Sequence, residues 1–354
     1  MEKSQLSALK KQFAPLLLKW NREQNNRQMP WKGEKDPYKI WLSEIILQQT
    51  RVEQGLNYYN KFIKIFPDIH KLAKAPESRV FKLWEGLGYY SRCRNLIATA
   101  RYISKELKGK FPEIYETIKS LKGIGPYTSA AISSFAFNLP YAVVDGNVFR
   151  VLSRVFGVNK PIDSAAGKKY FTLLANELLD KKRPGLYNQA IMDFGAVVCK
   201  PMTPLCDKCV FKKCCSAFSR KKVNALPVKE KKIRIKKRWF YYLVLEYKNT
   251  FAIRQRTVKD IWHNLYEFPL IETEKETGIK SILKQAIKKG ELSKNEEIIS
   301  VSPVFKQLLS HQLITGQFIR ICIRKKTPGD FILVEKHKLN KYAFPRLINQ
   351  FINP

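Results

Sequence analysis

Two stretches carry residues whose types and spacing can do chemistry. In Leu121 to Asn147, LKGIGPYTSAAISSFAFNLPYAVVDGN, Gly123 and Gly125 flank Ile124, and one acidic residue, Asp145, follows in an apolar setting. A sharp turn between two helices needs the positive φ that glycine tolerates. It also leaves the amides of the second helix's first turn free to take a phosphate oxygen. The stretch predicts a grip on a nucleic-acid backbone next to an active-site carboxylate; the plain alternative is a glycine-rich link between packed helices. The second stretch holds Cys199, Cys206, Cys209 and Cys215 in the spacing C-x6-C-x2-C-x5-C. Four thiolates so close can wrap one tetrahedral zinc or a [4Fe-4S] cube. One compact loop with a single CxxC in its middle suits the cube better than the two separated pairs of a zinc ribbon. Cys214 stands beside the fourth ligand, so its role and that of Cys215 are exchangeable, while Cys93 and Cys322 read as small core residues.

Two further groups stand out. Trp41, Glu44, Gln48 and Arg51 are three or four residues apart, which places them on one face of a helix beginning after Pro30-Trp31. That face is either solvated or a working surface. Gly86-Leu87-Gly88-Tyr89-Tyr90 precedes a segment bearing Arg92, Arg94 and Arg101. Such a pair of tyrosines can stack on bases while the arginines meet phosphates, or it can simply pack.

The elements that must position these residues are helical. Apolar spacing predicts one or two helices over 38–66, and further helices over 77–84, 91–107, 113–121, 128–137, 148–156, 168–179 and 186–198. No strand is required before residue 199, so residues 1–218, with the cysteine loop 199–215, read as an all-α domain. Residues 219–238 are lysine-rich without apolar periodicity and read as a linker. Residues 239–354 read as an α+β domain. Strands are expected over 239–247 and 250–256, joined by a turn at Lys248-Asn249, and over 313–324 and 331–334; helices are expected over 282–289 and 346–352.

Composition bounds the function. The 354 residues suffice for two domains, and 45% apolar with 12% aromatic content is that of a globular chain. The 65 Lys and Arg against 30 Asp and Glu give a formal charge of +35, which favours a polyanionic partner, nucleic acid first. No signal-peptide pattern opens the chain, and no uncharged apolar run reaches the roughly 18 residues that span a bilayer. A soluble, cytosolic protein without a membrane partner is expected, and five cysteines crowded into one loop there suggest a metal site more than disulfides.

With hairpin, cysteine spacing and downstream Asp together, the sequence resembles the endonuclease III superfamily of helix-hairpin-helix base-excision glycosylases. LKGIGPYTSAA, VVDGNVFRVLSR and the cysteine loop carry that resemblance. Within the superfamily PW at 30–31, WLSEIILQQTRV at 41–52 and GLGYYSRCRNL at 86–96 resemble the adenine DNA glycosylase (MutY) family. The resemblance is strong through residue 215 and weaker beyond the linker, where DIWHNLYEFP at 260–269 matches a landmark of the family's Nudix-like domain.

The resemblance implies a [4Fe-4S] cluster on Cys199, Cys206, Cys209 and Cys215. It implies that Glu44 is the general acid protonating adenine at N7, and that Asp145 stabilises an oxocarbenium-like sugar. Tyr127 and Asn147 support the site around the sugar, and Trp31, Leu47 and Gln189 wall the adenine pocket. Gln49, Thr50, Leu87 and Tyr89 contact or wedge the duplex, with Gly123 and Gly125 on its backbone. Relatives that also cut the strand carry a lysine where this chain has Tyr127, so a monofunctional enzyme is expected. The second domain lacks the acidic Nudix helix pattern and is expected to read 8-oxoguanine opposite the adenine. The family's Phe-Ser-His loop is here Leu309-Ser310-His311, which leaves Ser310 and His311 as lesion contacts without the phenyl ring. The implied partner is double-stranded DNA with A opposite 8-oxoguanine or G, met by a monomer in the bacterial nucleoid. A pyrimidine glycosylase with lyase activity and a non-catalytic lesion binder are the rival readings. For the two acids, the structural alternatives are that Glu44 pairs with Arg51 and that Asp145 only caps the helix near Val148.

Overall fold

The computed structural model of the chain describes residues 3–230, 235–294, 296–325 and 331–353. It divides into two units, residues 1–74 with 95–231, and residues 75–94 with 232–354. The division falls inside the Tyr90–Lys105 helix.

The first unit is helical, with no strand among its described residues. Local chemistry sets the helix ends that matter for the site. Asp36 caps the Pro37–Leu47 helix by accepting from the Tyr38 amide, with Pro37 preset at its first position. Gly157, in the left-handed region at φ 66°, closes the Gly146–Phe156 helix. Phe13, Leu17 and Trp20, spaced three and four apart on the Lys3–Gln24 helix, pack with Val148, Val151 and Val155 and with Ile191 and Phe194 in one buried cluster. Phe13 stacks on Phe211 at 4.7 Å, which ties the first helix to the core beneath the cysteine loop. The expected helix pair over 38–66 is two helices, Pro37–Leu47 and Val52–Ile65. Gln48 to Arg51 form the break between them, so the face drawn through Trp41, Glu44, Gln48 and Arg51 is not one helical surface. Trp41 is core, packed edge-on against Phe111.

Residues expected to be linker are held by backbone groups that composition does not display. Arg154 donates from Nε to the carbonyls of Val223 and Leu226, and the Ile162 amide donates to the Val228 carbonyl. Residues 231–234 of that segment lie outside the described residues.

Among the described residues the second unit is built on an eight-stranded sheet: β1 (Lys236–Tyr247), β2 (Thr250–Gln255), β3 (Tyr266–Glu267), β4 (Leu270–Thr273), β5 (Glu297–Val301), β6 (Phe305–Leu308), β7 (Gln312–Cys322) and β8 (Ile332–Glu335). Along its spine the order is β3-β2-β1-β7-β5, with β1 and β7 parallel from Lys236↔Gln312 to Glu246↔Cys322. The unbroken run WFYYLVL in β1 suits a strand buried on both faces. Tyr241, Leu243 and Leu245 meet Ile282 and Ala286 of the Ile279–Lys288 helix, and the Phe240 and Tyr242 rings alternate with them along the strand. Lys248 and Asn249 both take positive φ, 45° and 63°, as the expected two-residue hairpin between β1 and β2 requires.

Residues 75–94, placed by sequence in the all-α domain, are part of this unit. Glu85 accepts from the Phe344 amide at 2.8 Å and the Asn349 side-chain amide at 2.9 Å, and Lys82 donates to the Tyr342 carbonyl at 2.9 Å. An amphipathic helix such as Glu77–Trp84 has the same pattern whichever partner it packs on, so periodicity alone gives no warning of this. No helix among the described residues is long and apolar enough to cross a membrane.

Candidate active site

Glu44 sits on the last turn of the Pro37–Leu47 helix among Ile40, Ile45 and Leu47, and is only 7% exposed. Burial, the Asp145 charge adding to it, pushes its carboxyl up to about 7, while a hydrogen bond with Tyr127 pulls the other way. It is engaged with Tyr127, not Arg51, which stands at the N-terminus of the next helix. The Tyr127 hydroxyl, its own pKa raised by burial, also lies 3.5 Å from Met192 Sδ.

Tyr127 is delivered by the hairpin. Gly123 takes φ 79°, and a Cβ there would stand 2.6 Å from the Asn95 side chain, so only glycine fits. Gly125 is extended (φ −94°, ψ 179°) and needs no such freedom; it opens the Pro126–Phe137 helix without a side-chain cap, so the first-turn amides are not taken by one.

Asp145 does two jobs at once. Its Oδ1 accepts from the Val148 amide at 2.8 Å, capping the Gly146–Phe156 helix, and its Oδ2 accepts from Asn147 Nδ2 at 2.8 Å. Burial raises its pKa, opposed by those two donors and by the charge of Arg150. Of the two carboxyls, Asp145 is thus the one furnished to carry negative charge. Arg150 continues the chain of contacts, donating to Asn147 Oδ1 at 2.7 Å, the Gly195 carbonyl at 2.7 Å and, from Nε, the Cys199 carbonyl at 2.7 Å. Gly195 permits the approach, since a Cβ there would lie 2.6 Å from Asn147 Cβ.

One turn further on, Arg154 donates to the carbonyls of Lys200 and Pro201 and reaches Cys199 Sγ at 3.5 Å. Burial raises the thiol pKa of Cys209, to about 12, and those of Cys206 and Cys215; each of the three also feels the charge of Cys199. Cys209 also feels Cys206 and Cys215, so the four sulfurs share one neighbourhood. Cys214 has no such coupling; its thiol donates to the Phe211 carbonyl at 3.4 Å. Among the described residues no three His, Cys, Asp or Glu side chains are gathered as ligands of a single ion. The donor set, four clustered thiols beside buried arginines, fits an anionic iron-sulfur group.

A cavity of about 970 Å³ in the first unit gathers most of the expected site. Glu44, Tyr127, Asp145 and Asn147 line it, as do Trp31, Leu47 and Gln189. Gln49, Thr50 and Gly125 also line it, and Gln49 is held at φ 54°. Gln48 Nε2 donates to Thr128 Oγ1 at 3.2 Å, tying this break to the hairpin helix. In the second unit a cavity of about 610 Å³ is lined by Tyr89, Ser310 and His311. The two hydroxyls of Tyr89 and Ser310 are hydrogen-bonded. Leu309-Ser310-His311 is the tip between β6 and β7, closed by the Leu309 amide donating to the Gln312 carbonyl. The tyrosine pair divides: Tyr90 is buried against Phe81, whereas Tyr89 is 42% exposed at φ 48° under the Arg92 guanidinium. Leu87 is buried and outside that lining.

Sequence reasoning missed Arg27, Lys32, Asn188, Arg150 and Asp193. Asn188, wholly buried, accepts from the Val143 amide at 3.1 Å and donates to the Tyr141 carbonyl at 2.8 Å, fixing the extended stretch that delivers Asp145. The available signal was positional: Asn188 adjoins Gln189, Asp193 follows one turn later, and Arg150 follows Asp145 on the same helix.

Residues 42–174 match the HhH-GPD superfamily of base excision DNA repair proteins and residues 240–353 match the NUDIX domain. A solved thermostable thymine-DNA glycosylase superposes with TM-score 0.56 at 30% identity, over 61% of this chain and 99% of that one. Fold and site therefore define a helix-hairpin-helix base-excision glycosylase, a hydrolase of N-glycosyl bonds, joined to a NUDIX-type domain. The adenine DNA glycosylase of Buchnera aphidicola subsp. Baizongia pistaciae is 38% identical over 73% of each chain. That of the Acyrthosiphon pisum subspecies is 34% identical over 84% of each. The chain belongs to the adenine DNA glycosylase family.

Proposed function

We propose that this enzyme excises adenine opposite 8-oxoguanine, and more slowly opposite guanine, from double-stranded DNA, as a monomer and without cutting the strand. The observation that carries the reading is the pairing in one cavity of Glu44, held up to about 7, with Asp145, furnished with donors for its charge. A carboxyl poised near neutrality gives up a proton to a leaving base, and a neighbouring carboxylate meets the positive charge that grows on the sugar. The base must leave the stack to reach them, at a cost of a few kcal/mol. Gln49 and Tyr89, both in left-handed backbone, are assigned to the gap in the duplex. Once there, Glu44 protonates adenine at N7, Tyr127 holds Glu44, and Asn147 holds Asp145.

Position 127 is not a lysine, and the lysines at the cavity are engaged: Lys32 donates to the Arg27 carbonyl and Lys35 to the Phe135 carbonyl, both at 2.9 Å. No free amine stands ready for a Schiff base among these groups, in line with a monofunctional glycosylase. In the second unit Ser310 and His311 are assigned to the oxidised guanine. A single-turnover incubation with a duplex carrying A opposite 8-oxoguanine is expected to leave the strand intact until alkali is added. Strands still intact after alkali sink the proposal, and breaks before alkali sink its monofunctional part.

Cys199, Cys206, Cys209 and Cys215 are proposed to hold a [4Fe-4S] cluster. When bound, it supplies four iron-thiolate bonds that fix the loop and the lysines it carries. Cys215→Ser is expected to abolish the cluster's visible absorbance, and Cys214→Ser to preserve it; the reverse pattern exchanges the two.

A further inference from the structure

Asp193 has no exposed surface, yet it lies one helical turn from Gln189, a residue that lines the cavity and donates to Asp193 from Nε2. Four donors surround its carboxylate. Arg27 Nη1 at 2.8 Å and Gln189 Nε2 at 3.0 Å reach Oδ1, and Asn25 Nδ2 at 2.9 Å and Lys32 Nζ at 3.4 Å reach Oδ2. A carboxylate only accepts, so Gln189 must turn its NH2 group toward Asp193. The other end of the amide, a carbonyl oxygen that only accepts, is then left for the cavity. Held on both oxygens, Asp193 is not free to swing away and release the amide.

We infer that Asp193 is a positioning residue that selects a 6-amino purine by fixing which end of the Gln189 amide faces the base. The inference rests on adenine being the base in the cavity. Adenine presents a donor at C6, which the Gln189 oxygen accepts. A 6-oxo purine presents an acceptor there and meets oxygen with oxygen, and an unsubstituted purine leaves the oxygen without a partner. With the anchor removed, the amide rotates and the preference is lost. A carboxylate serving only as countercharge to Arg27 and Lys32 affects all three bases alike.

Single-turnover release is measured for the full-length protein on duplexes with adenine, purine or hypoxanthine at the same position. Asp193→Ser is expected to lower the adenine-to-purine rate ratio on the order of tenfold, with purine release itself changing less. Asp193→Glu, which restores an acceptor, is expected to recover most of the ratio. In a Gln189→Met background, Asp193→Ser should leave the ratio where Gln189→Met puts it. If Asp193→Ser loses its helical circular dichroism, Asp193→Ala carries the same comparison. Adenine and purine falling by a common factor, or a ratio unchanged in the folded variant, overturns the inference. Wild-type protein that leaves adenine in the duplex overturns the proposed function instead, so the two failures are distinguishable.

Discussion

Glu44→Gln is expected to slow adenine release on the order of a thousandfold while duplex binding is kept, because glutamine fills the same space but has no proton to give. The wild-type rate should fall as pH rises through about 7, where the buried carboxyl loses its proton; the variant's residual rate should show no such step. Stability gives a second, opposite-signed readout. A carboxyl raised from 4.5 to about 7 by folding favours its protonated form in the folded state. Its contribution is complete below the unfolded value near 4.5 and is lost as pH rises through about 7. Glutamine does not ionise, so Glu44→Gln should melt with the wild type near pH 4 and above it near pH 9, by up to about 3 kcal/mol in stability. A variant that is less active and more stable only at high pH identifies a strained acid. A variant that retains adenine release removes Glu44 from the chemistry.

Asp145→Asn is expected to abolish base release to a similar extent and to keep the helix cap. Asparagine caps a helix as well as aspartate does, so the bond from the Val148 amide survives while the charge facing the sugar does not. Asp145→Ala should lose the cap as well, at about 1 kcal/mol. Equal activity in the wild type and Asp145→Asn leaves capping as the residue's whole role.

The sequence was a good guide wherever a residue's type alone limits what it can do. The glycine hairpin, the lone aspartate in DGN and the cysteine spacing are of that kind, and Glu44 and Asp145 line the same cavity. Where a residue's role depends on a distant partner, sequence was silent. Asp193 reads as a polar position on an amphipathic helix until Arg27 and Asn25 arrive from more than 160 residues away in the chain. Gly125 resembles Gly123 in the motif, yet only Gly123 occupies the left-handed region. In the second unit the long strands were legible, β1 from its continuous apolar run and β7 from a β-type run broken by polar residues. The two-residue β3, the four-residue β4 and β6, and the exposed β5 are set by their neighbours, not by their own pattern.

The clasp on Glu85 makes the second unit discontinuous in sequence. A fragment of residues 239–354 would leave the Phe344 amide and the Asn349 side chain without the carboxylate they bind, and would leave Ser310 without Tyr89. Residues 75–94 fall within the 42–174 match to the repair superfamily, so a substitution there would be filed by position under the helical half of the protein. Its first casualty would be the fold of the NUDIX half. Truncation maps and variant catalogues for this chain therefore need to be drawn in space, because linear coordinates assign this segment to the wrong body.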